Sequence, residues 1–282
     1  LGIVLINYNS EDELIKYIST ELSKTKIENK IVVVDNSYSE EKHQVLKTRL
    51  NQINDRYFDK DLFLITKKKN LGYARANNFG ALFLKKKISP DHILFSNTDI
   101  AFKDHSVVDK LISKLDSLPL KYAAIGPKII DRDGINQLPK EKIPFKRYFA
   151  WKFLPFLRGN FSFLRKRART TENDDNKGEE CYQLSGCFLL TKAMDFFEAG
   201  LFDEATFLYG EEKILSERLK VINKYNFFYP DVSIIHHESS IVSENMISKK
   251  VRKMQHDNNC YYYKHYLGAP RFLVFILRHF TP

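Results

Sequence analysis

The sequence has few cysteines and no long apolar run. Cys181, Cys187 and Cys260 form neither an even set nor a metal-ligand spacing, which is typical of unpaired thiols in a reducing cytoplasm. The longest continuous apolar stretch, Phe272 to Leu277, is far shorter than the roughly 18 residues that a membrane-spanning helix needs. The first residues lack a charged region and a cleavage-site pattern, so we expect no secretion signal. These absences favour a cytoplasmic protein.

The surplus of positive charge is confined to one segment. The 282 residues include 45 Lys and Arg against 35 Asp and Glu, a formal net charge of +10. Residues 140–169 hold ten of these cations against one acid, Glu141, which gives a local charge of +9. Aromatic residues are interleaved with the cations in 143–169. Such a segment suits stacking on nucleobases, an anionic membrane surface or a solvated insert.

Short apolar runs rich in β-branched residues alternate with amphipathic stretches over residues 1–130. The runs are Gly2–Ile6, Ile31–Val34, Leu62–Ile65, His92–Phe95 and Ala123–Ile130. Strands that alternate with helices predict βαβ units, and hence an α/β fold with a mostly parallel central sheet flanked by helices. From Asn245 to Pro282 the pattern is helical.

Polar residues follow three of the predicted strands directly. They are Asn7-Tyr8-Asn9, Asp35-Asn36-Ser37 and Asn97-Thr98-Asp99. Ligands of such sheets bind at the carboxyl ends of the strands, so these residues predict a binding site there. Each group alone is also compatible with an ordinary turn.

The stretch Asn70-Leu71-Gly72-Tyr73-Ala74-Arg75-Ala76-Asn77-Asn78-Phe79-Gly80 resembles a motif of the family 2 glycosyltransferases, which have the GT-A fold. Val33-Val34-Asp35-Asn36-Ser37 is similar to the family signature whose acid contacts the base or ribose of the donor. With the strand ends, the resemblance implies donor-binding roles for Asn7, Tyr8, Asn9, Asp35, Asn36, Asn70, Gly72, Arg75, Asn78, Asn97 and Thr98. Arg75 suits a phosphate, because its planar fork pairs with oxyanions, but it also suits a surface charge.

Two further stretches resemble the metal-binding elements of the family. Phe95-Ser96-Asn97-Thr98-Asp99 is similar to its Asp-x-Asp-like motif, with Asn97 in place of the first acid, so the resemblance implies that Asp99 binds Mn²⁺ or Mg²⁺. His236-His237-Glu238-Ser239 resembles a His-x-Glu-Ser element whose histidine approaches the metal or the diphosphate. His236 is the first choice for that histidine and His237 the second.

The segment from Phe202 to Glu212 resembles the catalytic segment of the family. Glu212 aligns with the acid that serves as general base, but the family has Asp there, so Glu211 is an open alternative. Acids in the first turn of a helix also stabilise its N-terminus. Gly186, Cys187 and Tyr209 are expected on the acceptor side.

The resemblance implies an inverting glycosyltransferase of bacterial surface-polysaccharide synthesis. Its donor would be a UDP- or TDP-sugar, and its acceptor a hydroxyl of a glycan or of a polyprenyl-linked glycan. We expect a cytoplasmic enzyme that rests peripherally on the inner face of the membrane and binds no nucleic acid. A sugar-nucleotide nucleotidyltransferase shares this kind of sheet, but its Gly-rich phosphate loop is missing from Ile6–Ser10. A nucleic-acid-binding protein that uses the basic segment is the other alternative.

The same pattern divides the chain into parts. Residues 1–240 are expected to form the GT-A domain, with a donor half in 1–130, a variable basic and aromatic insert in 137–180, and an acceptor and catalytic half in 181–240. Residues 241–282 are expected to form a C-terminal helical extension.

Overall fold

The structure, a computed structural model, describes residues 1–37, 39–54, 61–137, 139–153, 178–237 and 247–280. The strands are β1 (Gly2–Asn7), β2 (Lys30–Asp35), β3 (Leu62–Thr66), β4 (His92–Ser96), β5 (Ile100–Phe102), β6 (Tyr122–Ile130), β7 (Glu179–Cys181), β8 (Phe188–Lys192) and β9 (Tyr225–His236). The helices are α1 (Glu11–Thr20), α2 (Glu40–Ile53), α3 (Gly72–Ile88), α4 (Val107–Ser117), α5 (Phe145–Phe153), α6 (Ala193–Glu198), α7 (Glu211–Val221), α8 (Ile247–His265) and α9 (Arg271–Phe280), with a 3₁₀ turn at Leu22–Lys24.

The strands form one sheet in the order β3-β2-β1-β4-β8-β6-β9-β5, and β7 pairs with β9. Strands β1 to β4 are mutually parallel. Strand β8 runs antiparallel between β4 and β6, and β5 runs antiparallel to β9. The sheet is therefore parallel in its N-terminal part and mixed in its C-terminal part.

The main hydrophobic core lies on both faces of this sheet. Ile31, Val32, Val33 and Val34 of β2 have no exposed surface, so both faces of the strand are covered. A continuous run of β-branched residues is what a strand buried on both sides requires. Helix α3 packs on β1 and β2, where Gly80 lets it approach closely, since an added Cβ would lie 2.5 Å from a Val4 methyl.

A second, smaller cluster of buried residues joins α5, α7, α8 and α9. We call it the C-terminal cluster, and its buried members are Tyr148, Ile214, Cys260, Tyr262, Tyr263, Ala269, Val274 and Leu277. Ile214 belongs to α7, which also packs on the main core through Leu215 and Leu219. The C-terminal helices are thus attached to the helix that begins with the two candidate catalytic acids.

The α/β architecture and the strands predicted from the apolar runs are present. The expected insert is described only to residue 153 and again from residue 178, and the expected boundary at residue 240 lies outside the described residues, so the division into parts stays a prediction. In the described part of the chain, no helix has the length and apolarity needed to cross a bilayer.

Candidate active site

Asp35 is held at the end of β2 by three groups. Its Oδ1 accepts hydrogen bonds from the Asn7 side chain at 3.1 Å and from the backbone N–H of Ser37 at 3.0 Å. Its Oδ2 lies 2.8 Å from Nδ1 of His43 on α2. Asp35 is only 1% exposed, so a nucleotide could reach this carboxylate only if a neighbour such as His43 moved.

The polar residues after β1 divide into a buried one and two exposed ones. Asn7 has no exposed surface and serves Asp35, whereas Tyr8 is 44% exposed. Asn9 is exposed with a left-handed φ of 54°, and its side-chain oxygen accepts a hydrogen bond from Lys42 at 2.8 Å. Tyr8 and Asn9 are therefore the members of this group that a ligand can contact without rearrangement.

The loop before α3 is tied together by two asparagines. The Asn36 side chain donates to Asn70 and to the carbonyl of Gly72, and it accepts from the backbone of Leu71. Gly72 has a φ of +75°, and an added Cβ would lie 2.4 Å from the carbonyl oxygen of Phe207. Glycine is therefore required at position 72, because the left-handed φ and the close contact with the loop that precedes α7 leave no room for a Cβ.

Asn78 and Arg75 project from α3 toward the segment after α6. The Asn78 side chain exchanges two hydrogen bonds with the backbone of Phe202, at 2.9 and 3.0 Å, and it is 2% exposed. Arg75 is half exposed and lies 3.4 Å from the carboxylate of Glu204. The structure thus gives Asn78 a structural contact, and it gives Arg75 an accessible position beside an acid.

Residues 97–99 join β4 to β5, and backbone hydrogen bonds connect them to two segments distant in sequence, at Cys187 and His237. The backbone N–H of Asn97 donates to the carbonyl of Cys187 at 2.8 Å, and that of His237 donates to the carbonyl of Asp99 at 2.9 Å. Because Ile100 pairs with His236 across β5 and β9, the imidazole of His236 lies beside Asp99. Its Nε2 is 3.4 Å from Asp99 Oδ1.

His236, rather than His237, is the histidine that faces Asp99. Burial lowers the pKa of His236, but its interactions with Asp99 and Cys187 outweigh burial and raise that pKa to about 10. The two side chains therefore form an ion pair. The side chain of His237 is exposed, while its backbone supports Asp99.

The donor set at Asp99 suits a divalent cation that is held partly by its substrate. Both ring nitrogens of His236 are buried, and neither has a hydrogen-bond partner in the described residues. No group of three or more His, Cys, Asp or Glu able to hold a metal occurs within those residues. Mg²⁺ in nucleotide sites usually has one or two protein ligands, with phosphate and water oxygens supplying the others. Asp99 fits that pattern. His236 would add a nitrogen ligand once the cation displaces the proton that pairs the imidazole with Asp99.

Gly186 and Cys187 connect this pair to the acids of α7. Glu212 Oε1 accepts the backbone N–H of Gly186 at 3.1 Å, and the hydroxyl of Tyr73 donates to the Gly186 carbonyl at 2.5 Å. A Cβ at position 186 would lie 3.0 Å from Glu212 Oε1, so glycine keeps this approach open. The next residue, Cys187, accepts from Asn97.

Glu211 and Glu212 are adjacent but have different surroundings. Glu211 is 2% exposed, and burial together with the charge of Glu212 raises its pKa to about 8. Its Oε1 accepts the backbone N–H of Tyr209 at 3.2 Å. Glu211 therefore keeps its proton at neutral pH, whereas Glu212 is partly exposed beside Gly186.

The loop before α7 adopts an uncommon backbone conformation that helix α8 supports. Tyr209 and Gly210 have φ values of 72° and 99°, and a left-handed conformation is costly for tyrosine. The Asn258 side chain donates to the carbonyls of Leu208 and Tyr209 at 2.8 and 2.7 Å. Phe207 accepts the backbone N–H of Tyr73 at 2.7 Å. This loop, which begins α7, is held from α3 on one side and from α8 on the other.

Sequence reasoning missed three residues of this region. Tyr73 lies inside the stretch from Asn70 to Gly80 and was a detectable candidate, because it follows the glycine that permits close contact. His43 and Asn258 had no local signal, since each acts through a contact between segments far apart in sequence.

Known proteins resemble this chain over most of its length. Residues 2–192 match the model of the family described as Glycosyl transferase family 2. The chain is 22% identical over 251 residues to the N-acetylglucosaminyl-diphospho-decaprenol L-rhamnosyltransferase of Mycobacterium tuberculosis. This alignment covers 85% of this chain and 76% of the relative. It is 25% identical over 241 residues to rhamnosyltransferase WbbL of Escherichia coli, in an alignment that covers 83% of this chain and 82% of that relative.

Two solved structures share the fold. GalNAc-T7 with UDP, GalNAc and Mn²⁺ aligns with a TM-score of 0.61 at 16% identity. The alignment covers 93% of the present chain, which spans about half (49%) of the length of GalNAc-T7. The mannosyltransferase PcManGT from Pyrobaculum calidifontis, in complex with GDP-Man and Mn²⁺, also has a TM-score of 0.61, at 11% identity. That alignment covers 98% of the present chain and 67% of PcManGT.

The predicted GT-A fold is confirmed. Because the family match takes in more than half of its residues, the protein belongs to glycosyl transferase family 2 and is a sugar-transferring enzyme.

Proposed function

We propose that the enzyme is an inverting, metal-dependent glycosyltransferase that moves one sugar from a UDP- or TDP-sugar to a hydroxyl of a glycan or lipid-linked glycan in surface-polysaccharide synthesis. One arrangement carries the proposal. The Asp99–His236 pair and the Glu211–Glu212 pair are linked through Gly186 and Cys187 by hydrogen bonds. This arrangement supports a diphosphate-binding cation at Asp99 and a general base at α7, connected by one short segment.

Glu212 is the better base of the two acids. A base must be ionised to accept a proton, and Glu211 holds its own proton up to a pH of about 8. Glu212 would take the proton of the acceptor hydroxyl, whose oxygen forms a bond to the anomeric carbon of the donor. The bond from that carbon to the diphosphate breaks on the opposite face, and the nucleoside diphosphate leaves, which inverts the configuration.

Asp99 and His236 would hold the divalent cation, Mn²⁺ or Mg²⁺. Such an ion, when bound, stabilises the negative charge that develops on the departing diphosphate. Both of the solved structures with this fold contain Mn²⁺ together with a nucleotide or nucleotide-sugar, which supports the assignment. The named activity of the two sequence relatives favours rhamnose as the donor sugar. The decaprenol-linked substrate named for one of them favours a lipid-linked acceptor at a membrane surface.

Nucleotide release from a panel of donors tests the proposed reaction. The protein is incubated with Mn²⁺ and each UDP- or TDP-sugar, and we expect slow release of UDP or TDP from one of them. Glu212→Gln should lower that rate by about 10²- to 10⁴-fold while the nucleotide still raises the melting temperature. If the Glu212→Gln variant kept its full rate, Glu211 would be the general base instead. Release of pyrophosphate from a nucleoside triphosphate and a sugar phosphate would instead indicate a nucleotidyltransferase.

Metal-dependent nucleotide binding tests the cation site separately. Asp99→Ala should abolish the Mn²⁺-dependent part of the stabilisation by UDP or TDP, because the carboxylate that holds the ion is removed. Asp133→Ala, at an exposed turn position, is the matched control and should behave as the wild type. Equal Mn²⁺-dependent shifts in both variants would contradict the assignment of Asp99.

A further inference from the structure

Helix α9 exposes two phenylalanines on its outer face. Phe272 is 72% exposed and Phe275 is 54% exposed, although both belong to the most apolar stretch of the chain. They lie three residues apart and therefore share one side of the helix. Adjacent exposed aromatic side chains on one helix face mark a candidate interaction surface.

The opposite side of α9 is fixed to the protein. Val274 and Leu277 are buried in the C-terminal cluster, at 5% and 0% exposure. The carbonyl of Leu277 lies 3.0 Å from Nε2 of His256 on α8. Helix α9 is therefore packed on the rest of the protein along one side, and Phe272 and Phe275 are exposed on its other side.

Basic residues flank the two phenylalanines. Arg271, Arg278 and His279 are exposed on the same side, and α9 contains no acid. Arg278 also lies 3.4 Å from Asp257 of α8, but its side chain stays 58% exposed. Lys152 of α5 and Arg278 both contribute to lowering the pKa of His256, after burial, so the basic ends of α5 and α9 meet near that histidine. The exposed Trp151 is next to Lys152 on α5.

We propose that the outer face of α9 is a docking surface for an anionic lipid bilayer. Phe272 and Phe275 would enter the boundary between headgroups and acyl chains, and Arg271 and Arg278 would meet the lipid phosphates. Amphipathic helices with aromatic residues beside arginines bind membrane surfaces in this way. Because α9 packs on α8, which holds the loop at 208–210, the bilayer lies one helix away from the candidate base.

A bilayer explains these residues better than nucleic acid or a second copy of the chain. Nucleobases can also stack on aromatic rings, but a nucleic acid needs a row of cations along its backbone, whereas α9 offers two arginines and one histidine on one helix face. A symmetric contact between two copies of α9 would bring like charges together, since α9 has Arg271, Arg278 and His279 and no acid, and within the described residues Asp257 of α8 pairs with Arg278 alone. The purpose of docking rests on the proposed lipid-linked acceptor, whereas docking itself is measured without any sugar nucleotide.

Co-sedimentation with vesicles tests the surface. The wild-type protein should sediment with vesicles that contain phosphatidylglycerol, much less with pure phosphatidylcholine, and less at high salt because the charges are screened. A Phe272→Ser/Phe275→Ser variant should bind at least about tenfold more weakly, since two buried aromatic side chains are lost. Leu120→Ser/Val221→Ser, which changes two residues 80% and 82% exposed outside α9, should bind as the wild type.

Three outcomes would overturn the proposal. They are failure of the wild type to bind phosphatidylglycerol vesicles, equal binding by the Phe272→Ser/Phe275→Ser variant, and a dimer in solution that this variant abolishes. Unchanged nucleotide release and thermal melting of the variant without vesicles show that the fold and the site are intact. Failure of docking leaves the proposed transfer reaction standing, and failure of transfer leaves docking standing.

Discussion

Glu211 and Glu212 show how strongly the environment of a single residue decides its chemistry. Both are glutamates in the first turn of α7, yet burial and the neighbouring charge raise the pKa of Glu211 from 4.5 to about 8. The folded protein thus binds this proton more tightly than the unfolded chain does. The resulting penalty on folding is absent below a pH of about 4.5 and present in full above about 8.

We expect Glu211→Gln to change how stability depends on pH. Between pH 4.5 and 8 this site makes the wild type less stable as pH rises, and the variant should lose that component because glutamine carries no charge. The variant should therefore melt above the wild type at pH 8 and close to it at pH 5. Thermal melting across this range measures the effect. Parallel curves for the two proteins would show that the Glu211 carboxyl titrates normally.

At the residue level, the sequence predicted those candidate site residues that lie in a local motif. Asp99 and His236 were found because each directly follows an apolar strand and matches a family motif, and the structure places them 3.4 Å apart. Their roles as metal ligands stay predictions. His43 could not be found, because its contact with Asp35 depends on how α2 packs beside β2.

At the level of helices and strands, hydrophobic patterning predicted the long elements but not their pairing. The apolar runs gave β1 to β4 and β6, whereas β5 and β7, with three residues each, are too short to show a pattern. The antiparallel position of β8 between β4 and β6 depends on the path of the chain through residues far apart in sequence. No local signal encodes that choice.

Helix α8 supports the loop that begins α7, and this support is testable through Asn258. Asn258→Ala leaves two backbone carbonyls without their donor, so we expect a loss of stability of about 1–3 kcal/mol. We also expect kcat to fall at least about tenfold with little change in the donor KM, because Glu212 is displaced while the candidate donor-binding residues of β1, β2 and α3 are untouched. Lys264→Ala, exposed on the same helix, is the control. A kcat equal to that of the control would show that the loop keeps its geometry without Asn258.

At the scale of the whole molecule, the two hydrophobic clusters are bridged by several contacts. Ile214 places α7 in the C-terminal cluster, Leu215 and Leu219 of the same helix lie in the main core, and Lys213 of α7 donates to Asn259 of α8. Elements that share this many buried contacts unfold together in small proteins.

We therefore expect one cooperative unfolding transition. Trp151, the single tryptophan of the sequence, lies on α5 against Tyr148 of the C-terminal cluster, so its fluorescence reports on that cluster alone. Far-UV circular dichroism reports on the entire chain. The two signals should change at the same denaturant concentration, and Leu277→Ala should shift both by the same amount, for a loss of about 2–5 kcal/mol. An earlier change in fluorescence would mean that the C-terminal helices unfold on their own.

The contact between Asn258 and the loop at 208–210 also sets an order of assembly. Asn258 lies 49 residues beyond Tyr209, and a ribosome adds about 5–20 residues per second, so several seconds pass before this amide is made. The parallel strands near the start of the chain are complete long before then. A nascent chain thus has its parallel N-terminal strands early, whereas β9 and the amide that supports the candidate catalytic turn are made late.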